Sequence, residues 1–226
     1  MDEEQRVKSR FTVVGAGRVG TALADMDRSN ALVVKRGDSI PVSGSGPIYV
    51  ATHNADLSDV LAATPQNRRG DLVFLQNGMI RPWLTASELQ DSTQALIYFA
   101  AALDESSGNV RVTDGGQTTV TGKYAKHFAK LLGSRGIACS VQPGDVFTQS
   151  MLEKLLWSTI FWMVCAGMEN LTVGEVATAH RPKVHALVCE LLPVAERALN
   201  RIPSSGIYHL PPCHHFVYRA CSMSSL

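Results

Sequence analysis

The sequence predicts an α/β protein in which a doubly wound, mainly parallel sheet is followed by a smaller, shortened all-helical domain. Three observations lead to this prediction. A glycine-rich turn follows the first apolar run, short apolar runs then alternate with helical or loop segments, and long helical patterns begin near Gln149. Alternating strands and helices are typical of a parallel sheet, and a later block of helices indicates a second domain.

The first strand and its turn occupy residues 11–23, which read FTVVGAGRVGTAL. A β-branched run is followed by a Gly-x-Gly-x-x-Gly motif and then by an apolar helical pattern. In such a motif Gly15 permits the tight turn, Gly17 lets the backbone approach a pyrophosphate, and Gly20 lets the helix pack against the strand. The helix N-terminus then faces the phosphates. The context indicates a Rossmann-type dinucleotide site, with a purely structural glycine turn as the alternative. The residues expected to contact the dinucleotide here are Gly15, Gly17, Arg18, Val19 and Gly20.

The second strand is predicted over residues 31–34 and ends in Lys35-Arg36-Gly37-Asp38. An NAD enzyme usually places an acid at this strand end to bind the ribose 2′-hydroxyl. Two cations stand here instead, and a guanidinium suits a bidentate grip on a 2′-phosphate. The pattern therefore favours NADP(H), held by Lys35 and Arg36. Two alternatives stay open: the cations are a solvated strand end, or Asp38 is an NAD-type acid.

The remaining elements follow from periodicity and from breaker residues. Strands are predicted over residues 47–52, 71–75, 95–101, 109–112, 118–121 and 137–141, and helices over residues 56–63, 125–132, 149–166 and 182–199. The change of pattern predicts three parts. A NAD(P)-binding Rossmann domain spans residues 1–145, a partial helical domain spans residues 146–200, and residues 201–226 form an irregular tail broken by prolines.

Composition narrows the function classes. The 226-residue chain has a net charge of +1 and is 45% hydrophobic, so it offers no long-range field for nucleic acid or an anionic membrane. Its five scattered cysteines indicate no disulfide framework, and no defensible metal motif is present. The acidic, polar N-terminus resembles neither a signal nor a transit peptide. We therefore expect a cytoplasmic protein that acts on a small-molecule substrate.

Three polar residues stand at positions suited to chemistry. Asn77 follows the predicted fourth strand, and ligands bind beyond the carboxyl ends of such strands, although Asn-Gly is also a common turn pair. Lys154 lies in a helix that is apolar on almost every side, so it either extends to solvent or faces a polar cavity. In a cavity, burial lowers the pKa of lysine and suits it to donate a proton near neutrality. Ser158 lies one turn further on the same helix face.

Together these residues resemble the ketopantoate reductase-like (2-dehydropantoate 2-reductase-like) family of NADP-dependent oxidoreductases. That family belongs to a wider group with a helical domain of the 6-phosphogluconate dehydrogenase type. The similarity is closest to uncharacterised plant and algal members, covers about residues 11–200, and rests on the order and spacing of five stretches. These are residues 15–20, 35–37, 76–79, 108–110 and 151–155, and residues 173–176 also resemble the family's second helical stretch.

The resemblance implies roles for individual residues. Lys154 matches the family's proton donor to the substrate oxygen, and Asn77 matches an asparagine that contacts cofactor and substrate. Where the family has asparagines four and eight residues after the lysine, this chain has Ser158 and Trp162. Serine can still bind a substrate, whereas tryptophan is expected to fill the space.

These features lead to one functional hypothesis and one alternative. We expect an NADP-dependent reductase of a small 2-oxo acid or a related ketone, assembled as a homodimer through the helical domain. The alternative is a catalytically inactive NAD(P)-binding protein, or a truncated module that acts as a binding or regulatory subunit.

Overall fold

The computed structural model describes residues 10–103, 110–116, 118–168 and 171–200. The chain divides into two compact units, Met1–Gly144 and Asp145–Leu226. Within the described residues of the first unit, seven strands form one sheet in the order β2-β1-β3-β4-β5-β8-β9, and β6 and β7 form a separate antiparallel pair. All neighbours in the large sheet are parallel except β5 and β8. The strands are β1 Phe11–Val14, β2 Ala31–Val34, β3 Ile48–Val50, β4 Leu72–Phe74, β5 Thr93–Leu96, β6 Ala100–Leu103, β7 Val110–Thr113, β8 Thr118–Thr121 and β9 Cys139–Val141.

Helices cover both faces of the large sheet. They are α1 Arg18–Met26, α2 Leu57–Ala63, α3 Arg81–Ala86 and α4 Ala125–Gly133, with short 3-10 turns at Asn54–Asp56 and Gln66–Asp71. Central strands such as β1, β3 and β4 are buried and read as apolar runs because both of their faces are covered.

Alternate side chains of β3 enter two different cores. Tyr49 packs in the core that contains Leu23 of α1 and Phe128 of α4, whereas Ile48 and Val50 pack in the core that α2 and α3 close. This alternation follows from the two-residue period of a strand. The sheet is thus packed on both faces, and these two cores set the positions of the carboxyl ends of β1 to β4.

The second unit is helical where it is described. It contains α5 Gly144–Gly167, α6 Val173–Ala179 and α7 Arg181–Asn200. Thr172 begins α6 with a capping box, in which its hydroxyl accepts from the Glu175 N–H while the Glu175 carboxylate accepts from the Thr172 N–H. Helix α5 is apolar on nearly all sides and buries residues along its whole length, from Phe147 to Val164.

The predicted fold class is confirmed, and the structure differs from the predicted elements in several places. Helix α6, Val173–Ala179, is not among the predicted helices. The run predicted as one strand over residues 95–101 is divided between β5 and β6, which belong to different sheets. Helix α3 was not predicted, and α5 begins at Gly144 rather than at Gln149. The tail predicted for residues 201–226 and the Gly108–Asn109 stretch lie outside the described residues. Within the described ranges no helix has both the length and the apolar character needed to cross a bilayer.

Candidate functional site

A cleft of about 1100 Å³ lies in the first unit, at the carboxyl ends of β1, β2, β3 and β4. The chain runs from β1 outward to β2 and then returns to place β3 on the other side of β1. Doubly wound sheets bind ligands at such a point, where the strand order reverses. Seven residues predicted to contact a dinucleotide or its substrate line this cleft: Gly15, Gly17, Arg18, Val19, Lys35, Arg36 and Asn77.

The three glycines of the turn differ in what surrounds them. Gly15 has a φ of +104°, and a Cβ there would lie 2.7 Å from the carbonyl oxygen of Ala51, so a side chain is excluded. Gly20 does not line the cleft, and a Cβ on it would lie 1.9 Å from the Gly15 carbonyl oxygen. At Gly17 a Cβ would meet no protein atom within 4 Å. Packing within the protein therefore requires glycine at positions 15 and 20. At position 17 the protein itself does not require glycine, so only a ligand close to the backbone would exclude a side chain there.

The N-terminus of α1 is suited to an anion. Gly17 is its N-cap, no side chain caps it, and its first turn contains no acidic residue. Helix N-termini carry backbone N–H groups without intrahelical partners and the positive end of the helix dipole. The fit to a dinucleotide pyrophosphate thus rests on the side-chain-free turn at Gly15 and on this uncapped helix end.

The two cations after β2 are solvent-exposed at the edge of the same cleft. The Asp38 carboxylate accepts the Lys35 N–H at 2.9 Å, and Gly37 between them has a φ of +93°. Arg36 Nη2 lies 3.5 Å from Asp56 Oδ1, and 91% of its side chain is exposed. The carboxylate of Asp38 therefore accepts a hydrogen bond within its own turn. The acidic neighbour of Arg36 is Asp56, which lies twenty positions further along the sequence.

The ends of β3 and β4 are tied together by one amide side chain. Gln76 Nε2 donates to the carbonyl oxygens of Val50 at 2.9 Å and Thr52 at 3.2 Å, and its Oε1 accepts the Leu75 N–H. Asn77 follows directly and is exposed, and its carbonyl oxygen accepts from Asn54 Nδ2 at 3.1 Å. These bonds fix the backbone next to and at Asn77, which lines the cleft.

Lys154 and Ser158 belong to the second unit, on α5. Lys154 is partly buried, and burial lowers its pKa to about 8. The Ser158 hydroxyl donates to the carbonyl oxygens of Lys154 at 2.9 Å and Leu155 at 3.1 Å. Its hydrogen is thus engaged with the helix backbone, while its oxygen can still accept. Trp162, predicted to fill space, is instead 73% exposed, because the buried stripe of α5 passes through its neighbour Phe161.

Sequence reasoning gave no role to several further polar residues that line the cleft, among them Thr52, Asp56 and Gln76. Each of these three lies within six residues after the end of β3 or β4. Because ligands bind beyond the carboxyl ends of such strands, this position in the sequence was the one indication that these residues could line a binding site. The Thr52 hydroxyl is buried and has no hydrogen-bond partner. The described residues contain no cluster of three or more His, Cys, Asp or Glu that could hold a metal ion. The cysteines and histidines near residue 214 lie outside the described part.

Comparison with known proteins identifies the fold. No protein-family model and no curated protein sequence matches the chain, but solved structures do. A 2-dehydropantoate 2-reductase from Methylococcus capsulatus aligns with a TM-score of 0.71 at 17% identity, over 96% of this chain and 80% of that one. This chain has the ketopantoate reductase fold.

Two further similarities agree with this assignment. A dimeric ketopantoate reductase from Staphylococcus aureus gives a TM-score of 0.61 at 17% identity, over 96% of this chain and 79% of that one. A D-mandelate dehydrogenase solved with NADH gives a TM-score of 0.64 at 15% identity, over 94% of this chain and 78% of the enzyme. The resemblance predicted from the sequence is thus confirmed at the level of the ketopantoate reductase fold.

Proposed function

We propose that this protein is an NADP-dependent oxidoreductase that reduces a small 2-oxo acid or a related ketone. The observation that carries the proposal is the cleft of the first unit. It brings the side-chain-free turn at Gly15, the uncapped start of α1 and the cationic end of β2 to one edge of the sheet. That is the arrangement a phosphorylated dinucleotide needs, with N–H groups for the pyrophosphate and cations for the 2′-phosphate.

In this proposal the cofactor supplies the hydride, and the chain supplies binding and orientation. The backbone N–H groups of residues 17–20 hold the pyrophosphate. Arg36 and Lys35 bind the 2′-phosphate through charge-assisted hydrogen bonds. Asn77, whose backbone is fixed by Asn54 and Gln76, orients the nicotinamide end and the substrate.

Lys154 is the proposed general acid, giving a proton to the substrate oxygen. Its pKa of about 8 supports this role, because an acid that titrates near the working pH transfers its proton most effectively. Ser158 is the proposed substrate contact. Since its hydrogen is donated to the helix, we expect its oxygen to accept a hydrogen bond from the substrate or from water.

We also propose a homodimer that associates through the helical unit. Two facts support it: the similar Staphylococcus aureus enzyme is described as dimeric, and α5 exposes Trp162 and Met163. Large exposed apolar side chains often mark association surfaces. Sedimentation analysis of the wild-type protein and of Trp162→Ser tests this assembly. A monomer at all concentrations would exclude it.

An oxidation screen tests the catalytic proposal. The full-length protein is mixed with NADPH and a panel of 2-oxo acids, and the loss of NADPH absorbance is followed. We expect at least one 2-oxo acid to be reduced, with turnover lost in Lys154→Ala.

The second candidate is a NAD(P)-binding protein without turnover. The hydrogen bonds of the Ser158 hydroxyl favour this candidate. Because that hydroxyl already donates its hydrogen to the helix backbone, it offers a substrate fewer hydrogen bonds than an asparagine side chain would. Tight NADPH binding without oxidation by any member of the panel would support this candidate and contradict the reductase.

A further inference from the structure

The acid that faces Arg36 has no other role visible in its own segment. Asp56 ends the 3-10 turn after β3 and occupies the N-cap position of α2. Aspartate at an N-cap commonly accepts a backbone N–H of the first turn, yet the Asp56 side chain makes no such bond. Its carboxylate lies 3.5 Å from Arg36 Nη2 instead.

The other acids at this end of the cleft do not compete for Arg36. Asp38 accepts the Lys35 N–H within its own turn. Asp59 lines the cleft one helical turn beyond Asp56 and is exposed. Asp56 is more buried than Arg36, with 29% of its side chain exposed against 91%. Asp56 is therefore the more enclosed partner of this pair, and the Arg36 guanidinium is almost fully open to solvent and to a ligand.

We propose that Asp56 is a specificity-determining residue, whose carboxylate competes with the 2′-phosphate of NADPH for Arg36 and so lowers the preference for NADPH over NADH. The inference rests on the proposed dinucleotide cleft. NADPH has to draw Arg36 away from Asp56 before the guanidinium can bind the 2′-phosphate. NADH has no 2′-phosphate, so it leaves the Arg36–Asp56 pair intact.

The effect is expected to be modest. Exposed ion pairs contribute little because water and salt screen them. Asp56→Asn keeps the shape of the side chain and remains a good N-cap residue, so the variant should fold. We expect it to lower the dissociation constant for NADPH about two- to fivefold, the range that corresponds to an exposed pair. The constant for NADH should stay unchanged.

The experiment is a titration of the full-length protein with NADPH and with NADH, repeated for Asp56→Asn, for Asp59→Asn and for Arg36→Ala with and without Asp56→Asn. Asp59→Asn removes the same charge from the same cleft without touching the pair, so it should change the NADPH/NADH ratio less. In the Arg36→Ala background the effect of Asp56→Asn should largely disappear.

Two results would overturn the inference while leaving the proposed function in place. One is that the wild-type protein binds NADPH, but Asp56→Asn does not change the ratio of the dissociation constants for NADPH and NADH. The other is a weaker binding of NADH by Asp56→Asn, which would make Asp56 a ribose ligand. Failure of the wild-type protein to bind either nucleotide would overturn the proposed function and this inference together.

Discussion

At the scale of single residues, the glycine turn separates what folding requires from what a ligand requires. A Cβ at Gly20 would lie 1.9 Å from a backbone oxygen of Gly15, which cannot move without distorting the turn, whereas a Cβ at Gly17 would meet nothing. Gly17 also has a φ of −73°, which any residue adopts. The sequence motif does not distinguish these two positions, but the structure does.

We predict opposite outcomes for alanine at these two glycines. Gly20→Ala should destabilise the protein by about 3 kcal/mol, the upper range for overpacking. Gly17→Ala should leave the unfolding midpoint nearly unchanged and weaken NADPH binding, because its methyl group occupies space that the pyrophosphate needs. Urea denaturation and NADPH titration measure the two effects. A Gly17→Ala protein with wild-type affinity would show that no ligand approaches this backbone closely.

The side chain of Lys154 sets an expected pH dependence. A general acid has to be protonated, and the lysine has a pKa of about 8 because of burial. The rate of ketone reduction should therefore be highest below pH 8 and fall as the pH rises through that value. Lys154→Ala should lower kcat by about 10²–10⁴-fold, the contribution of a positioned acid, with little change in the dissociation constant for NADPH.

Lys126→Ala is the matched control for this prediction, because Lys126 is an exposed lysine on α4 in the first unit. It should leave kcat and the pH profile unchanged. An unaltered kcat in Lys154→Ala, or a profile that does not change near pH 8, would remove Lys154 from the mechanism.

At the scale of elements, a buried arginine holds the loop between β2 and β3 against the start of β4. Arg68 Nε lies 2.7 Å from Asp71 Oδ2, and Nη2 donates to the Gly46 carbonyl oxygen at 3.1 Å. Tyr124 and Lys123 also bind Asp71. Burial raises the pKa of Asp71, but the hydrogen bonds from Tyr124, Arg68 and Lys123 outweigh it and lower the pKa below its usual value.

Removing this arginine should be costly, whereas removing an exposed counterpart should not. Arg68→Met leaves a largely buried carboxylate short of a partner, which costs about 3 kcal/mol. The pair Arg28–Asp25 has the same spacing and a similar distance of 2.8 Å, but 72% of the Arg28 side chain is exposed. Arg28→Met should therefore lower the free energy of unfolding much less than Arg68→Met does, because water and salt screen an exposed pair. Similar unfolding free energies for both variants would contradict the predicted role of burial.

The elements also show where local sequence patterns stop being informative. Residues 95–103 form a nearly continuous apolar run with no glycine or proline, so nothing local marks the break between β5 and β6. At the break, Tyr98 donates its N–H to the Thr118 hydroxyl, a partner twenty positions away that no local pattern reveals. Helix α3 has only six residues, too few to reveal a helical period, although its Pro82 near the start was a usable signal.

The same limit applies to the site. The glycine turn and the cations after β2 are contiguous in sequence, so they could be predicted together. Asp56 meets Arg36 only because β3 returns to the other side of β1, and a pair that depends on this topology leaves no local pattern. The role of Gln76 likewise depends on the carbonyl groups of Val50 and Thr52, at and just after the end of β3, which are more than twenty residues away.

At the scale of the whole molecule, the proposed cofactor contacts and the proposed proton donor belong to different compact units. All residues that line the cleft lie between Val14 and Asn77, whereas Lys154 and Ser158 lie on α5. Substitutions in the cleft should thus change the affinity for the nucleotide, whereas substitutions of Lys154 or Ser158 should change the turnover rate.

The measurement that tests the central claim most directly is the difference in affinity between NADPH and NADH for the full-length protein, determined by equilibrium titration with and without Arg36→Ala. The proposed contact of Arg36 with the 2′-phosphate predicts that NADPH binds more tightly than NADH. It also predicts that Arg36→Ala weakens NADPH by about 1.5–3 kcal/mol, the value of a hydrogen bond to a charged group, and leaves NADH nearly unaffected. Equal affinities in the wild-type protein, or equal losses for both nucleotides in the variant, would contradict the claim.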